Sequence, residues 1–241
     1  MTESRPCRYA EAAAPPAWRE RLRCTWRFRQ GDGQAPALVL PDGCVDLIWD
    51  GQQLFVAGAD RRAHLAAPAP GSVLTGVRLA AGAGSALLGL PLHRIAERRV
   101  PLDALWGARG RTLQRRLEDG ADPARTLQAL CIGEAAPADR QMAWLFAQLA
   151  DAGAPRVATL ASALGVSERS LRRRCHDAFG YGPKTLERVL RLQRFLRIAR
   201  QHATLTDAAL EAGYGDAAHL VDDARELTGL RPRELVLRHA R

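Results

Sequence analysis

The sequence predicts an α+β protein in three parts. A small β-rich, barrel-like domain covers residues 1–110, and a helical connector follows over 111–154. The last part, 155–241, is an all-α domain with two helix-turn-helix units joined by a long helix. Three observations predict this. Short apolar runs broken by turn residues fill the first hundred residues; the apolar period turns helical after Pro91; and the last ninety residues repeat themselves.

In the first part, Ala37 to Leu40 is an apolar run that stops at the turn signal Pro41-Asp42-Gly43. Val45 to Trp49 reads as a strand, Asp50-Gly51 as a tight hairpin turn, and Leu54 to Ala57 as the returning strand. Pro70-Gly71 introduces a strand from Ser72 to Leu79, and a small-residue turn leads to another from Ala86 to Leu90. Beyond Pro91, Leu92 to Arg99 and Leu102 to Trp106 read as short helices. From Arg111 the apolar residues Leu113, Leu117, Leu127, Leu130, Met142, Leu145, Phe146 and Leu149 recur at helical spacing, with breaks around Gly120–Pro123 and Gly133–Pro137. This connector can hold a dimer contact or simply bridge domains, and Asp151 to Pro155 reads as a linker.

In the repeat, Leu160, Ala161 and Leu164 correspond to Ala208, Ala209 and Ala212. After the turn, Ser167, Leu171, Gly180 and Pro183 correspond to Asp216, Leu220, Gly229 and Pro232. Each half is a short helix, a Gly-containing turn, a second helix opened by an N-cap residue, and a Gly-x-Pro exit. At about 100° per residue, Leu171, Cys175, Ala178 and Phe179 share the face that packs on the preceding helix. Arg169, Arg173 and His176 lie opposite, with Arg172 on the flank and Arg174 nearer the protein side. Between the units Lys184 to Gln201 forms one helix, a rigid spacer of roughly 27 Å against the roughly 34 Å between successive major grooves.

The charge is concentrated in the same place. The chain carries 35 basic and 26 acidic residues, and Ser167 to Arg200 alone holds ten basic residues against Glu168, Asp177 and Glu187. A charge run alone reads more readily as a solvated face; combined with the repeat it points to a polyanion-binding surface. No apolar run is long enough for a bilayer, and the N-terminus lacks a secretory signal's apolar stretch, so a cytoplasmic location is expected. The cysteines at 7, 24, 44, 131 and 175 contain no C-x-x-C pair, and no two histidines stand at i, i+4. Neither a disulfide framework nor a metal site is expected, and no cofactor.

These residues resemble the AraC/XylS family of transcription regulators. The likeness runs from Leu160-Ala161 through Ser167-Glu168-Arg169-Ser170-Leu171-Arg172-Arg173, Gly180-Tyr181-Gly182-Pro183 and Arg191-Leu192. It resumes at Ala212-Gly213-Tyr214-Gly215-Asp216-Ala217-Ala218-His219-Leu220 and Gly229-Leu230-Arg231-Pro232. Pro41-Asp42-Gly43-Cys44-Val45-Asp46-Leu47-Ile48-Trp49 and Thr75-Gly76-Val77-Arg78-Leu79 resemble a domain found ahead of such modules. The resemblance implies an N-terminal domain that senses a small molecule or pairs subunits. It places the base-reading positions on Arg169, Arg172 and Arg173 in the first unit, and on Ala217, Ala218, Val221 and Asp222 in the second. The second unit departs from the family, which often has a basic residue at Asp222 and aromatics at Leu220 and Ala224. The pair Asp222-Asp223 repels phosphate, although an acid can accept a hydrogen bond from cytosine, so specificity is expected mainly in the first unit.

The expected DNA contacts are Ser167, Arg169, Arg172, Arg173, His176, Arg188 and Arg191. Of the arginines on the long helix, some should reach phosphate and others pair with acids such as Glu187. The candidate effector residues are Asp42, Cys44, Asp46, Trp49 and Arg78. Alternation points Asp42, Cys44 and Asp46 to one side of a strand, Arg78 can neutralise one of the acids, and nothing basic adjoins Cys44 in sequence. A packed thiol and a turn stabilised by acids is the plainer reading of Cys44, as packing is for Cys175 and a structural hydrogen bond for His219. The tryptophans read as core, with Trp49 the candidate pocket residue. The function expected is a sequence-specific regulator of transcription, with double-stranded DNA, a small-molecule effector, RNA polymerase and a second copy of the chain as partners, and no membrane. An enzyme with its active site in the β domain is the alternative, weakened by the absence of a nucleophile elbow, phosphate loop or His–carboxylate constellation. An architectural DNA-binding protein is the third reading.

Overall fold

The computed structural model describes residues 8–133 and 138–239. Its N-terminal part is a mixed layer of sheet and helix. Strands β1 (Arg8–Ala13), β2 (Leu22–Arg29), β3 (Ala37–Val39), β4 (Asp46–Trp49), β5 (Leu54–Ala57), β6 (His64–Ala66) and β7 (Val73–Leu79) precede helix α1 (Gly84–Leu88) and strand β8 (Arg99–Pro101). Six of the strands form one antiparallel sheet in the order β1-β2-β7-β4-β5-β8, and β3 pairs with β6 as a separate ribbon. Among the described residues β1 and β8 have no strand beyond them, so the sheet is open where a barrel-like closure was expected.

Alternation sends the residues of each strand to opposite faces. Leu47 and Trp49 of β4, Leu54 and Val56 of β5, and Val77 and Leu79 of β7 enter the main core. Ile48, Phe55, Leu74, Cys24 and Trp26 form a smaller cluster on the other face. There Trp26 lies flat on its cross-strand partner Gly76, where a Cβ would come within 2.3 Å of the indole. Trp49, the candidate pocket residue, is buried at 7% exposure in the main core.

Two expectations near Pro91 are corrected. Of the residues expected as a strand from Ala86 to Leu90, Ala86 to Leu88 belong to α1, because the adjacent Leu87 and Leu88 are both buried in one core, which strand alternation forbids. Gly89 then ends the helix at φ 72°. The expected helix from Leu92 to Arg99 is a single helical turn, Leu92–Arg94, followed by β8.

The connector is helical, as read from the sequence: α2 (Leu102–Trp106), α3 (Ala108–Glu118), α4 (Pro123–Gly133) and α5 (Arg140–Ala150). The C-terminal part holds α6 (Val157–Ala163), α7 (Glu168–Phe179), α8 (Pro183–Ile198), α9 (Leu205–Glu211), α10 (Ala217–Thr228) and α11 (Pro232–His239). Helix pairs α6/α7 and α9/α10 are the two repeat units, and α8 joins them; its sixteen residues span about 24 Å. Ser167 caps α7 and Asp216 caps α10 by accepting from the N–H three residues on, while Gly180 (φ 82°) and Gly229 (φ 72°) close them in the left-handed conformation.

The cores do not follow the units. The main core runs without interruption from the sheet through α4 and α5 into the first unit, taking in Leu160, Leu171, Cys175, Ala178, Phe179, Tyr181 and Leu186. The second unit has a core of its own, with Leu192, Phe195, Ala208, Ala212, Tyr214, Leu220 and Leu227, against which Leu38 and Leu40 of the N-terminal part pack. Among the described residues no helix is long and apolar enough to cross a membrane.

Candidate nucleic-acid interface

The first recognition helix, α7, carries its apolar side inward: Leu171 and Cys175 are fully buried and Phe179 is 1% exposed. The opposite side therefore faces water. Arg169, Arg172 and Arg173 are exposed there, and among the described residues no hydrogen bond or ion pair occupies their guanidinium groups. An arginine held this way keeps its forked donor set available for a guanine edge or a phosphate. His176 lies one turn further along on the same side, with its pKa lowered by partial burial and by the charges of Arg172 and His93. Together with His93 and Asp177 these four residues line a concavity of about 340 Å³. His93 comes from the turn Leu92–Arg94 of the N-terminal part; its Nδ1 lies 3.4 Å from Asp177, and its ring meets that of His176 edge-on at 6.5 Å. Arg174 points to the protein side and pairs with Asp139, the N-cap of α5, at 3.1 Å.

Three of the expected DNA contacts are placed otherwise. Ser167 is occupied as an N-cap, its Oγ accepting from the Ser170 N–H at 3.2 Å. Arg188 turns inward: its Nε donates to Asp223 at 2.7 Å, and its terminal nitrogens hold both oxygens of Glu226 at 3.0 and 2.6 Å. Arg191 pairs with Glu187 at 3.2 Å and lies over the Tyr214 ring at 5.2 Å from its centroid. The sequence could not show this, because the carboxylates that hold Arg188 lie 35 and 38 residues away. By the same pairing Asp223 is buried and neutralised, so of the Asp222-Asp223 pair only Asp222 faces solvent. In the first two turns of α10 Ala217, Ala218 and Asp222 are exposed and Val221 is half-buried, and the basic residue on this face, Arg225, is exposed only in the last turn.

Arg194 is a structural residue that sequence reasoning missed. At 8% exposure its guanidinium donates to the carbonyls of Leu149 (3.2 Å) and Ala150 (3.1 Å) at the end of α5. It also donates to Ala212 (3.0 Å) in the second helix-turn-helix. Arg191 and Arg197, three residues to either side on α8, look the same in sequence, so only the chain path singles it out.

In the N-terminal part the candidate effector residues divide. Arg78 meets Asp42 at 3.3 Å and its cross-strand partner Asp46 at 3.2 Å, so it neutralises both acids instead of one. Burial opposes the Arg78 charge, but the two carboxylates outweigh it and hold the guanidinium protonated. Cys44 accepts a contact from Arg23 at 3.5 Å, a basic neighbour that sequence separation hid. Burial, aided by Asp42, still pushes the thiol up against the opposing pull of Arg23, so it is a neutral packed group. Cys44 also lines a cavity of about 320 Å³ with Arg19, Leu22, Arg23, Ala80, Ala81 and Phe146. Cys24, Cys44, Cys131 and Cys175 are free thiols, and Cys7 lies outside the described residues. Among the described residues no group of His, Cys, Asp or Glu could hold a metal ion.

The joint between the two parts is made by the turn Pro41–Cys44. The Pro41 carbonyl accepts from Gln193 of α8 at 2.7 Å. Gly43, at φ 78°, lets the turn close on Phe146 of α5 and Leu186 of α8; a Cβ there would come within 2.8 and 3.0 Å of them. Phe146 in turn meets Phe179, the last residue of α7, with ring centroids 6.0 Å apart.

Residues 160–238 match the family model of a helix-turn-helix domain, and residues 10–101 match that of a domain of unknown function, DUF6597. No curated protein sequence matches the chain. Similar solved structures include ToxT from Vibrio cholerae O395, at 9% identity and a TM-score of 0.44 over 97% of each chain. The unsaturated fatty acid bound wild-type ToxT from Vibrio cholerae strain SCE256 is similar at 8% identity and a TM-score of 0.45, over 98% of this chain and 97% of that one. The assignment rests on the two domain models and on the residues that carry the family pattern. The chain carries an AraC-type helix-turn-helix domain over residues 160–238 and, ahead of it, a DUF6597 domain over residues 10–101.

Proposed function

We propose that this regulator reads the major groove mainly with α7, and that the second unit anchors the chain with little base reading of its own. The observation that carries this is the contrast between the two recognition helices. Helix α7 presents Arg169, Arg172 and Arg173 with their donors unoccupied, whereas α10 presents Ala217, Ala218, Val221 and Asp222. Bidentate arginine contacts favour guanine, so the preferred half-site contains G. Selection of bound sites from random DNA tests it. Replacing Arg169, Arg172 and Arg173 together by alanine should abolish the selected motif, with roughly 1–3 kcal/mol lost for each base-reading arginine. Retention of the motif by that variant would overturn the reading.

We further infer that a small molecule acts through the N-terminal domain. Support comes from the cavity lined by Arg19, Arg23, Cys44 and Phe146, because Phe146 belongs to the connector and also touches the end of α7. Asp42, Asp46 and Arg78 serve there as a buried support for the turn, and Cys44 is the one member of the expected set that lines the cavity. Filling the space with Ala81→Trp should alter affinity for the selected site without changing its sequence; unchanged affinity would remove this cavity from the regulatory path. The chain's action is binding, with no turnover assigned to it. Contacts with RNA polymerase and with a second copy through the connector complete the proposed picture.

A further inference from the structure

The N-terminal domain places a five-residue strap between the two recognition helices. At one end, a Cβ on Gly180, just beyond α7, would lie 3.3 Å from the Ala59 Cβ and equally near that of Ala96. At the other, the Ala63 N–H donates to the Leu227 carbonyl in the last turn of α10 at 2.7 Å. Residues 59–63 therefore run from the end of the first recognition helix to the end of the second. At roughly 3.5 Å per residue the strap reaches about 14 Å at most, well under the roughly 34 Å between successive major grooves. It holds the C-terminal ends of the helices together, while their base-reading N-terminal turns are free to diverge toward separate grooves.

Arg61 and Arg62 occupy the middle of this strap, and both are exposed. Among the described residues Arg62 has no hydrogen bond or ion pair; its charge acts on Glu226, which is already held by Arg188. Arg61 pairs with Glu97 at 2.8 Å, and its side chain is 55% exposed. An ion pair so exposed is worth little, so phosphate can displace the carboxylate. The strap also lies within electrostatic reach of the reading face: the Arg61 charge acts on His176, which shares the concavity of Arg169, Arg172 and Arg173.

We propose that Arg61 and Arg62 contact the phosphate backbone that passes between the two grooves, so that the DUF6597 domain supplies part of the DNA interface. This rests on the regulator reading above. Its contribution is electrostatic and independent of base sequence, since phosphate contacts position a protein and base contacts specify.

The test uses the full chain and a random-sequence duplex of about 40 base pairs, with binding measured across salt concentrations. Each phosphate contact contributes about 0.9 to the slope of log affinity against log salt, so Arg61→Ala with Arg62→Ala should flatten that slope by about two. The site selected from random DNA should stay the same. Arg61→Lys with Arg62→Lys should restore the slope, and Glu97→Gln, which frees Arg61, should tighten binding. An unchanged slope in the double alanine variant overturns the proposal. If Arg169→Ala, Arg172→Ala and Arg173→Ala still destroy recognition in that case, the regulator reading stands and only the strap's role is lost. If the wild-type chain binds neither duplex nor selected site, both fall.

Discussion

The Asp223 side chain is 4% exposed, and Arg188 Nε is its donor at 2.7 Å; His219 Nε2 lies further off, at 3.9 Å. Removing Arg188 would strand a buried carboxylate, a change that typically costs several kcal/mol. Because Arg188 is itself 28% exposed and water can follow its departure, Arg188→Ala is expected to lower stability by about 2–3 kcal/mol. Urea denaturation measures this directly. A variant of unchanged stability and much weaker DNA binding would return Arg188 to the phosphate contacts where its sequence position had put it. The same scale explains why five basic residues within two turns differ so much in role. Among the described residues Arg169, Arg172 and Arg173 form no ion pair, whereas Arg174, at a different helical angle, meets Asp139.

Helix-turn-helix units are defined by their turns, and the two turns here are equivalent in backbone but not in surroundings. Gly165 sits at φ 66° with open space where a Cβ would be. Gly213 sits at φ 88°, and its Cβ would come within 2.9 Å of the Ala152 carbonyl oxygen, close to Arg194 at 3.4 Å. Gly165→Ala should therefore cost only the left-handed backbone penalty, about 1 kcal/mol. Gly213→Ala should cost clearly more, because the linker after α5 has to move and the Arg194 strut moves with it. Thermal or urea unfolding of the two variants side by side checks the ranking, and equal losses would show that the linker yields freely. The long helix α8 matters here as well: Leu186 and Leu190 belong to the main core, whereas Leu192, Phe195 and Leu196 belong to the second. One element thus joins both cores.

At the scale of the whole molecule, the boundary of cooperativity falls inside the duplicated half instead of ahead of it. Phe179, at 1% exposure, belongs to a core continuous with the sheet, and Leu220, at 2%, belongs to the separate core of the second unit. Truncating either leaves a cavity worth about 3 kcal/mol or more. Phe179→Ala should speed amide exchange in α7 and in β7 together. Leu220→Ala should speed it in α9, α10 and α11 while β7 and α7 keep their protection. Hydrogen exchange followed by mass spectrometry separates these patterns, and uniform acceleration by both variants would mean that the two cores unfold as one. The shared core also gives a physical route for control. A change at the Arg19–Cys44–Phe146 cavity meets Phe179 one contact later, within a close-packed interior that transmits displacement.

Local chemistry made much of this readable in advance. The N-caps Ser167 and Asp216, the exit glycines 180 and 229, and the buried face Leu171–Cys175–Phe179 all depend on spacings within a few residues. So do the hairpin at Asp50-Gly51, where the Asp50 carboxylate accepts from the N–H groups of Gln52 and Gln53, and the outward arginines of α7. Nothing local marks β1 and β2 individually, and the residues of α1 also fit a strand, because short apolar runs suit strand and helix equally until their neighbours are known. What the fold alone decided is which charges find partners: Arg188 with Asp223 and Glu226, Arg78 with two aspartates, Arg23 with Cys44, and the Ala59–Ala63 strap with both recognition helices. Helical and strand periodicity fixes the direction in which a side chain leaves the backbone. It carries no information about what stands there, because the acid that captures an arginine arrives from tens of residues away along a path set by the packing of the whole core.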